Sequence, residues 1–464
     1  MFSNSLITYS RERVWILILA VSQITLGIFS AVMPLQYLPL VFSPLLLIAI
    51  YYRPLIGYLI LVFFLPNYGI DLFKIGGQAD VSLLEPAVFI AFIGFVFFIT
   101  KERKLNLSIT EVEFAMFLLF LWAAFSIIWT PVPIRGIQQT IKILIGFFIY
   151  FLSITLIKDR QNFNAVAGAW IVMGLVISIL GVYETFTTGF QSAASYSFTS
   201  GYDKIHKDVR TTAMFEGADM VGFLTSLVIV LNLTYLVFLP RGKWKNLLLI
   251  ILPLALFTLI TAMSRKSFVA LFGALIFMQF MLKKKFLKKL FPVLLISFLG
   301  GIAAILYAGT YGFWEALSER VMSLFMPVEE SIKYRLMAWA VGVDMFTNSP
   351  LIGRGLGSFY RESLLAGSQL NFPHNFYIFI LSELGLVGLF FLLFWWFQLG
   401  SSFVRLFRNC TNDETRTIAV GLIAGLITIA LHMAFRSFSL TDPTFWGYIG
   451  LTSAFLKINS RRTG

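Results

Sequence analysis

Residues 374–400 read HNFYIFILSELGLVGLFFLLFWWFQLG, and this stretch decides the fold. Glu383 is the single residue among these 27 that is charged at neutral pH. A helix of about 20 apolar residues is long enough to cross the hydrocarbon core of a bilayer. We therefore predict a membrane-spanning helix with a carboxylate inside it, and a carboxylate within a span marks a candidate functional site.

The rest of the chain has the same apolar character. Hydrophobic residues make up 58% of the 464 residues and charged residues only 13%, and the mean hydropathy is +0.84. Soluble domains carry about 25% charged residues. A water-soluble fold of this size could not bury so much apolar surface, so soluble enzymes and disordered scaffolds are excluded. The fold class that remains is an all-α polytopic integral membrane protein.

Fourteen apolar stretches have the composition of membrane spans. They run at 14–33, 37–51, 55–66, 83–100, 113–130, 137–157, 163–186, 215–239, 246–263, 267–282, 290–309, 374–400, 417–435 and 444–457. The third stretch is short and could form a broken or re-entrant pair with the second. We predict about 12–14 transmembrane helices in a single transmembrane domain, residues 1–464.

The basic residues orient these helices. The chain has 36 Lys and Arg against 23 Asp and Glu, a formal net charge of +13. Of the basic residues, 22 lie in every second loop, as the positive-inside rule requires of cytoplasmic loops. We therefore predict a multi-pass membrane protein with both termini in the cytoplasm, and we expect the first stretch to be an anchor rather than a cleaved signal peptide. This explanation of the charge needs no nucleic-acid partner.

Two of the predicted outer segments are long. Residues 187–214 are rich in Ser, Thr and Tyr and predict a periplasmic loop. Residues 310–373 predict a large periplasmic loop with short helices, because apolar residues recur at helical spacing in 315–325 and 331–346.

The positive-inside rule leaves fourteen basic residues of the outer side unexplained. They are Lys74, Arg135, Lys142, Lys204, Lys207, Arg210, Arg265, Lys266, Arg320, Lys333, Arg335, Arg354, Arg361 and Arg436. A cation near the bilayer is costly unless it is paired. The phosphate groups of an anionic ligand are candidate partners, because arginine binds phosphate oxygens in a bidentate manner.

Three of these cations lie near predicted helix ends. Arg265 occupies a turn with almost no loop, where it either anchors the protein to lipid headgroups or binds phosphate. Lys142 lies one to two turns into its helix and pairs either with a neighbouring carboxylate or with a ligand. Arg210 precedes Glu216 and Asp219, and a surface salt bridge is its alternative role.

Histidines and a carboxylate complete the outer set. His374 opens the helix quoted above, where the positive end of the helix dipole favours the neutral, proton-accepting imidazole. A structural hydrogen bond is the alternative. Glu383 either belongs to the site or pairs with an arginine such as Arg436. His432 and Arg436 share a helix face, and they either line the same outer cavity or hold two helices together.

The second long loop carries the most specific pattern. Arg335 and Trp339 are four residues apart and so lie on one helix face. The segment SPLIGRGLGSF, residues 349–359, is a proline turn followed by glycines that allow a close backbone approach. It is no dinucleotide-binding fingerprint, because no strand precedes it.

These groups fit one kind of chemistry. The chain has one cysteine and three histidines, no phosphate-binding loop and no D-x-D motif, so we predict neither a metal nor a cofactor. Outside the cytoplasm a glycosyl donor has to be lipid-linked. Arginines would bind the pyrophosphate of a polyprenyl donor in place of a divalent metal, and a neutral histidine would accept the proton of the attacking sugar hydroxyl. Displacement in line would invert the anomeric configuration.

The sequence resembles the bacterial O-antigen ligase and O-antigen (polysaccharide) polymerase family of multispanning glycosyltransferases. The resemblance is carried by SRKS at 264–267, by the R-x-x-x-W of Arg335 and Trp339, by 348–359 and by 373–388. It covers mainly residues 205–400; before that only the hydropathy profile agrees.

The resemblance implies a role for individual residues. Arg265 and Arg335 would engage the pyrophosphate and His374 would assist the attack of the acceptor, which makes these three the catalytic candidates. The substrate-binding candidates are Arg210, Lys142, Arg354, Trp339, Asn375, Glu383 and Arg436. Arg354 departs from the family pattern, in which a small or aliphatic residue often stands between the glycines; it either contacts phosphate or sugar, or faces water.

The resemblance implies a location in the bacterial inner (cytoplasmic) membrane, with the active site facing the periplasm. The predicted function is a metal-independent inverting glycosyltransferase of this periplasmic face that uses an undecaprenyl-pyrophosphate-linked oligosaccharide donor. We favour a polysaccharide polymerase, because the pattern is widespread among such polymerases; a ligase that transfers the glycan to lipid A–core is the alternative. The predicted partners are the donor, a glycan or lipid A–core acceptor, membrane lipid and other polysaccharide-assembly proteins. A flippase and a non-catalytic assembly protein are alternatives from different functional classes. A flippase would favour cations distributed through a central cavity and two pseudo-symmetric halves, whereas here the unexplained cations cluster on one side and the sequence shows no repeat between two halves.

Overall fold

The computed structural model describes residues 38–67, 71–75, 79–82, 84–102, 109–188, 213, 217–240, 242–282, 295, 330–367, 370, 372–435 and 440–460. Within these ranges, nine helices are long and apolar enough to cross a membrane. The predicted fold class is therefore confirmed. The predicted stretches 14–33 and 290–309 and the predicted loop helix 315–325 lie outside the described residues, apart from Leu295.

The remaining twelve predicted stretches coincide with helices, and further short elements lie between them. The elements are α1 (Leu38–Tyr52), α2 (Leu55–Phe64), β1 (Asp71–Ile75), β2 (Ala79–Ser82), α3 (Leu84–Glu102), α4 (Glu111–Phe125), α5 (Pro133–Leu156), α6 (Arg160–Thr188), α7 (Ala218–Phe238), α8 (Lys243–Thr261), α9 (Arg265–Leu282), α10 (Glu330–Asn348), α11 (Phe359–Leu365), α12 (Phe376–Asn409), α13 (Asp413–Met433) and α14 (Pro443–Ser460). Short 3-10 turns follow α2 and α4, at Leu65–Asn67 and Ser126–Ile128. The antiparallel β1–β2 hairpin was not predicted.

The helix α7 forms the centre of the bundle. Of its most apolar 18-residue segment, 94% is buried in the protein, against 22% for the peripheral helix α3. Its neighbours are α8, α13, α9 and α6. A helix that is apolar all round is stable only when it is surrounded, and its sequence, ADMVGFLTSLVIVLNLTYLVF, has this character.

Four ion pairs lie at one end of the bundle, between residues of predicted cytoplasmic loops and helix ends. The pairs, with their N to O distances, are Lys158–Glu102 at 3.0 Å, Arg160–Glu414 at 2.8 Å, Arg405–Glu111 at 2.9 Å and Lys457–Glu113 at 3.5 Å. The predicted outer residues contact one another at the opposite end. The alternation of the loops between two ends is thus seen in the packing, while the direction of insertion stays a prediction.

Candidate functional site

A glycine-rich loop, residues 350–358 (below, the glycine loop), packs into a break in α12. Gly385 has φ +68° and ψ −166°, so α12 is interrupted there. The backbone N–H groups beyond the break turn to the loop: Leu386 donates to the carbonyl of Pro350 at 2.9 Å, and Val387 to that of Leu351 at 3.1 Å. The backbone groups freed by the break are therefore satisfied by the loop, as burial requires.

The glycines of the loop are needed for this contact. Gly353, Gly355 and Gly357 have φ between +69° and +87°, a region that residues with a Cβ rarely adopt. A Cβ on Gly353 would lie 2.4 Å from the carbonyl carbon of Glu383. A Cβ on Gly355 would lie 2.7 Å from the Cα of Thr130. The close backbone approach predicted for this segment is confirmed.

Glu383 is enclosed beneath the glycine loop, with 1% of its surface exposed. Its two carboxylate oxygens accept the backbone N–H of Gly357 in the loop at 2.7 Å and that of Phe359, the residue directly after the loop, at 3.0 Å. An ion pair with an arginine such as Arg436 was the predicted structural role, and Arg436 lies outside the described residues. The observed partners instead make Glu383 the acceptor that fixes the loop.

The glycine loop, the break in α12 and the helix α11 also contact residues at the ends of α4 and α5. The N–H of Leu356 donates to the hydroxyl of Ser126 at 3.0 Å. The indole of Trp122 donates to the carbonyl of Leu384, next to the break, at 2.9 Å. The guanidinium of Arg135 lies 3.1 Å from the centre of the Tyr360 ring, a cation–π contact. Arg135 was among the unexplained outer cations but not among the site candidates.

Arg354 lies in the glycine loop, between Gly353 and Gly355. Its backbone N–H donates to the carbonyl of Ser382 at 2.9 Å, and its side chain is half-buried. The Nε atom is enclosed and has no hydrogen-bond acceptor among the residues that the structure describes. A buried N–H of a charged group is costly without an acceptor, so an anionic group would be stabilised at this position.

The start of α12 presents His374. This residue has φ +50°, a left-handed conformation that is uncommon for residues other than glycine. The side chain of Asn375 accepts the N–H groups of Tyr377 at 3.0 Å and Ile378 at 3.1 Å, and so caps the helix. The cap holds the imidazole-bearing residue just outside the first turn, at the positive end of the helix dipole, as predicted.

The helix α10 runs beside α12 in the same direction. A Cβ on Gly342 would lie 2.4 Å from Cγ2 of Ile378, and Leu386 bonds to Pro350 just past the end of α10. Both contacts join residues that are 36 positions apart in the chain, so the two segments stay level with each other.

The predicted pair Arg335 and Trp339 lies on the N-terminal side of Gly342 in α10. Trp339 lies about one helical turn before Gly342, and Arg335 about one turn before Trp339. The indole Nε1 of Trp339 is enclosed without an acceptor in the described part of the chain. Arg335 and Trp339 thus precede, on α10, the residue that packs against Ile378 in the first turn of α12, the helix that begins after His374.

The turn that carries Arg265 lies between α8 and α9. Only three residues separate the two helices, which confirms the predicted tight turn. Lys266 is not at a lipid-facing position: 9% of its surface is exposed, and its ammonium pairs with Asp219 on α7. The hydroxyl of Ser267 lies 2.9 Å from Nε2 of His432 on α13.

The C-terminal end of α13 connects the Arg265 turn to the start of α12. On one side it contacts Ser267, and Lys266 donates to the carbonyl of Phe435 at 3.4 Å. On the other side the hydroxyl of Tyr377 donates to the carbonyl of Ala430 at 3.2 Å. The segments that follow Arg265 and His374 therefore both contact this helix end. The Ser267 bond joins His432 on α13 to α9, while Arg436, its predicted partner on the helix face, lies outside the described residues.

The remaining candidates differ in their placement. Lys142 lies on α5 with an exposed side chain. Arg210, like Arg436, lies outside the described residues. Within the described residues, no group of three or more His, Cys, Asp or Glu side chains is arranged to hold a metal ion. Sequence reasoning missed Asp219 and Ser267 as parts of the site, although both are polar residues at the outer ends of apolar helices, and this is the signal that could have found them.

Comparisons with known proteins indicate what this chain is similar to. The family model described as O-Antigen ligase matches residues 248–393, a range that contains the Arg265 turn, α10, the glycine loop and the start of α12. The teichuronic acid biosynthesis protein TuaE of Bacillus subtilis (strain 168) is 21% identical over 369 residues, which are 78% of this chain and 74% of that protein. These matches confirm the resemblance to the O-antigen ligase and polymerase family. They support a membrane protein of polysaccharide biosynthesis that polymerises or ligates glycans.

Proposed function

We propose that this multi-pass membrane protein is a metal-independent, inverting glycosyltransferase that acts at the periplasmic face of the inner membrane. It transfers a glycan from an undecaprenyl-pyrophosphate-linked donor to a saccharide acceptor. The observation that supports the proposal is that the segments following Arg265 and His374 both bond to the C-terminal end of α13, through Ser267 and Tyr377.

The cations would act on the leaving group. Arg265 stands at the first turn of α9, where the helix dipole adds to the positive potential that a pyrophosphate experiences. Arg335 and the enclosed Nε of Arg354 offer further donors for phosphate oxygens. Negative charge grows on the pyrophosphate as the bond breaks, so these donors would stabilise the transition state more than the ground state.

His374 would act on the nucleophile. Its neutral imidazole accepts the proton of the acceptor hydroxyl while that oxygen forms a bond to the anomeric carbon. The bond from the anomeric carbon to the pyrophosphate oxygen breaks on the opposite side, and the bonding electrons leave with undecaprenyl pyrophosphate. One displacement of this kind inverts the anomeric configuration.

The acceptor separates two versions of the proposal. We favour a polymerase that joins one lipid-linked repeat to another, and the relative named for teichuronic acid biosynthesis favours a role in making a polysaccharide. The alternative is a ligase that transfers the glycan to lipid A–core, which the description of the matching family model favours.

Reconstitution of the purified protein in liposomes tests the function. The liposomes contain undecaprenyl-pyrophosphate-linked repeat units, either with or without lipid A–core. A ladder of lengthened lipid-linked glycans is expected from a polymerase in both samples, whereas a ligase forms a lipid A–core conjugate only when that acceptor is present. Movement of the donor across the bilayer with no new glycosidic bond would overturn the proposal.

A further inference from the structure

Asp219 contacts the residues on both sides of Arg265. It lies in the first turn of the central helix α7. One carboxylate oxygen accepts the hydroxyl of Ser264 at 3.1 Å, and the other pairs with the ammonium of Lys266 at 2.5 Å. Ser264 and Lys266 are both buried, with 2% and 9% of their surfaces exposed. A single carboxylate therefore fixes the chain immediately before and immediately after Arg265.

The turn needs such a support because its backbone is strained. Met263 has φ +46°, in the left-handed region that a residue with a Cβ adopts only when its surroundings hold it there. The next residue, Ser264, is the one that bonds to Asp219. The contacts of the carboxylate are thus placed where they oppose relaxation of the turn.

The hydrogen bonds continue from Asp219 to α13 with a defined direction. A carboxylate only accepts, so the Ser264 hydroxyl gives its proton to Asp219. Ser264 must then accept from Ser267, at 2.8 Å, and the proton of Ser267 is used in that bond. Nε2 of His432, at 2.9 Å from Ser267, therefore donates. The chain of bonds runs from His432 through two serines to Asp219.

Close helix packing allows this chain to form. A Cβ on Gly222 would lie 2.4 Å from the Ser267 hydroxyl and 2.9 Å from the Cβ of Ser264. The absence of a side chain there lets α7 approach the Arg265 turn directly. The other end of the chain, at His432, is two residues from Ala430, which accepts the hydroxyl of Tyr377 on α12.

We infer that Asp219 is a positioning residue: its carboxylate fixes the turn so that Arg265 faces the pyrophosphate of the donor, and the hydrogen-bond chain to His432 holds this turn in register with the helix that begins after His374. The inference rests on the proposed function, because it assumes that Arg265 binds pyrophosphate. No direct contact of Asp219 with the donor is required.

The experiment measures binding of undecaprenyl pyrophosphate to the full-length protein in detergent, with undecaprenyl monophosphate as the comparison ligand. The test variant is Asp219→Asn, which keeps the shape of the side chain and an oxygen for Ser264 but removes the charge that holds Lys266. The matched control is Thr225→Val, which removes a buried hydroxyl from the same helix without a contact to the Arg265 turn.

A positioning role predicts a selective loss. Asp219→Asn should weaken binding of the pyrophosphate lipid about tenfold, a change equivalent to 1.4 kcal/mol, and binding of the monophosphate much less. Thr225→Val should leave both affinities within about twofold. Equal weakening of both lipids, or weakening that follows the loss of thermal stability in both variants, would overturn the inference in favour of a purely structural role.

A double-mutant cycle with Arg265→Ala separates the inference from the proposed function. If Asp219 acts through Arg265, then adding Asp219→Asn to Arg265→Ala causes no further loss of pyrophosphate binding. A further loss would contradict the inference. If Arg265→Ala alone binds the pyrophosphate lipid normally, the proposed function itself fails. If Arg265→Ala is defective and Asp219→Asn is normal, only the positioning role fails.

Discussion

The carboxylate of Glu383 accepts a hydrogen bond from the backbone N–H of Gly357 at 2.7 Å, across 26 residues of sequence. The same carboxylate accepts the N–H of Phe359. These bonds fasten the glycine loop to the break in α12, and Arg354 lies on that loop. The carboxylate within a predicted span therefore has an identified structural partner, and its contribution can be measured by substitution.

Glu383→Gln should destabilise the protein. An amide group has one acceptor oxygen in place of two, so one of the buried N–H groups of the loop loses its partner, at a cost of about 1–3 kcal/mol. We expect a lower melting temperature in detergent together with reduced glycan transfer. Glu102→Gln is the control: it breaks an ion pair whose side chains are 39% and 50% exposed, and exposed pairs contribute little. Equal melting temperatures for the two variants would contradict this role of Glu383.

Gly385→Ala should destabilise the protein strongly, although it adds only one methyl group. The φ of +68° is unfavourable for alanine, and the new Cβ would lie 2.3 Å from the carbonyl oxygen of Leu351. Gly400 lies in the same helix with open space at its Cβ position, so Gly400→Ala should be neutral or stabilise α12 by up to about 1 kcal/mol. Thermal unfolding of both variants is the measurement, and a stable Gly385→Ala protein would show that the break is not required.

Arg265→Ala should abolish glycan transfer in a protein that still inserts and folds. Arg265→Lys should keep part of the activity, because it retains the charge but not the bidentate geometry of a guanidinium. Product formation from a lipid-linked repeat unit is the measurement, with gel filtration as the check of folding. Arg53→Ala, at an exposed position of the predicted cytoplasmic side, is the control and should remain active. Near-normal product from Arg265→Ala would count against a phosphate role.

His374→Asn should reduce turnover by about 10²–10⁴-fold, the usual contribution of a general base. Asparagine tolerates the left-handed φ of +50° at this position, so the backbone is retained while the proton acceptor is removed. Affinity for undecaprenyl pyrophosphate should stay within about twofold, since the imidazole is assigned to the acceptor side. An active His374→Asn enzyme would refute that assignment.

Chelation tests the prediction that arginines replace a divalent metal. Glycan transfer by the reconstituted protein should proceed at the same rate with and without EDTA, because guanidinium groups neutralise the pyrophosphate without a metal. Complete loss of activity that magnesium restores would point to a carboxylate–metal site in place of the arginine-based mechanism.

Much of the architecture could be predicted because hydropathy is a local property. Each membrane span is predicted from the length of its own apolar stretch. The tight turn at Arg265 is predicted because two apolar stretches lie only a few residues apart. The helix α10 is visible in the 3.6-residue spacing of 331–346. The break in α12 was not predicted, because the stretch is long and predominantly apolar despite Glu383, and the interruption depends on backbone partners supplied by a loop that precedes α12 in the chain.

The sequence by itself determined the membrane environment, thirteen of the described helices and the residue types of the candidate site, because these depend on composition and on short-range spacing. Only the tertiary structure decided which of the polar residues meet. Asp219 pairs with Lys266, and Glu383 with the glycine loop, because glycines at 222, 353 and 385 let backbones approach within the length of a hydrogen bond. Such contacts join residues that are far apart in the chain, and a local pattern carries no information about the partner that closes them.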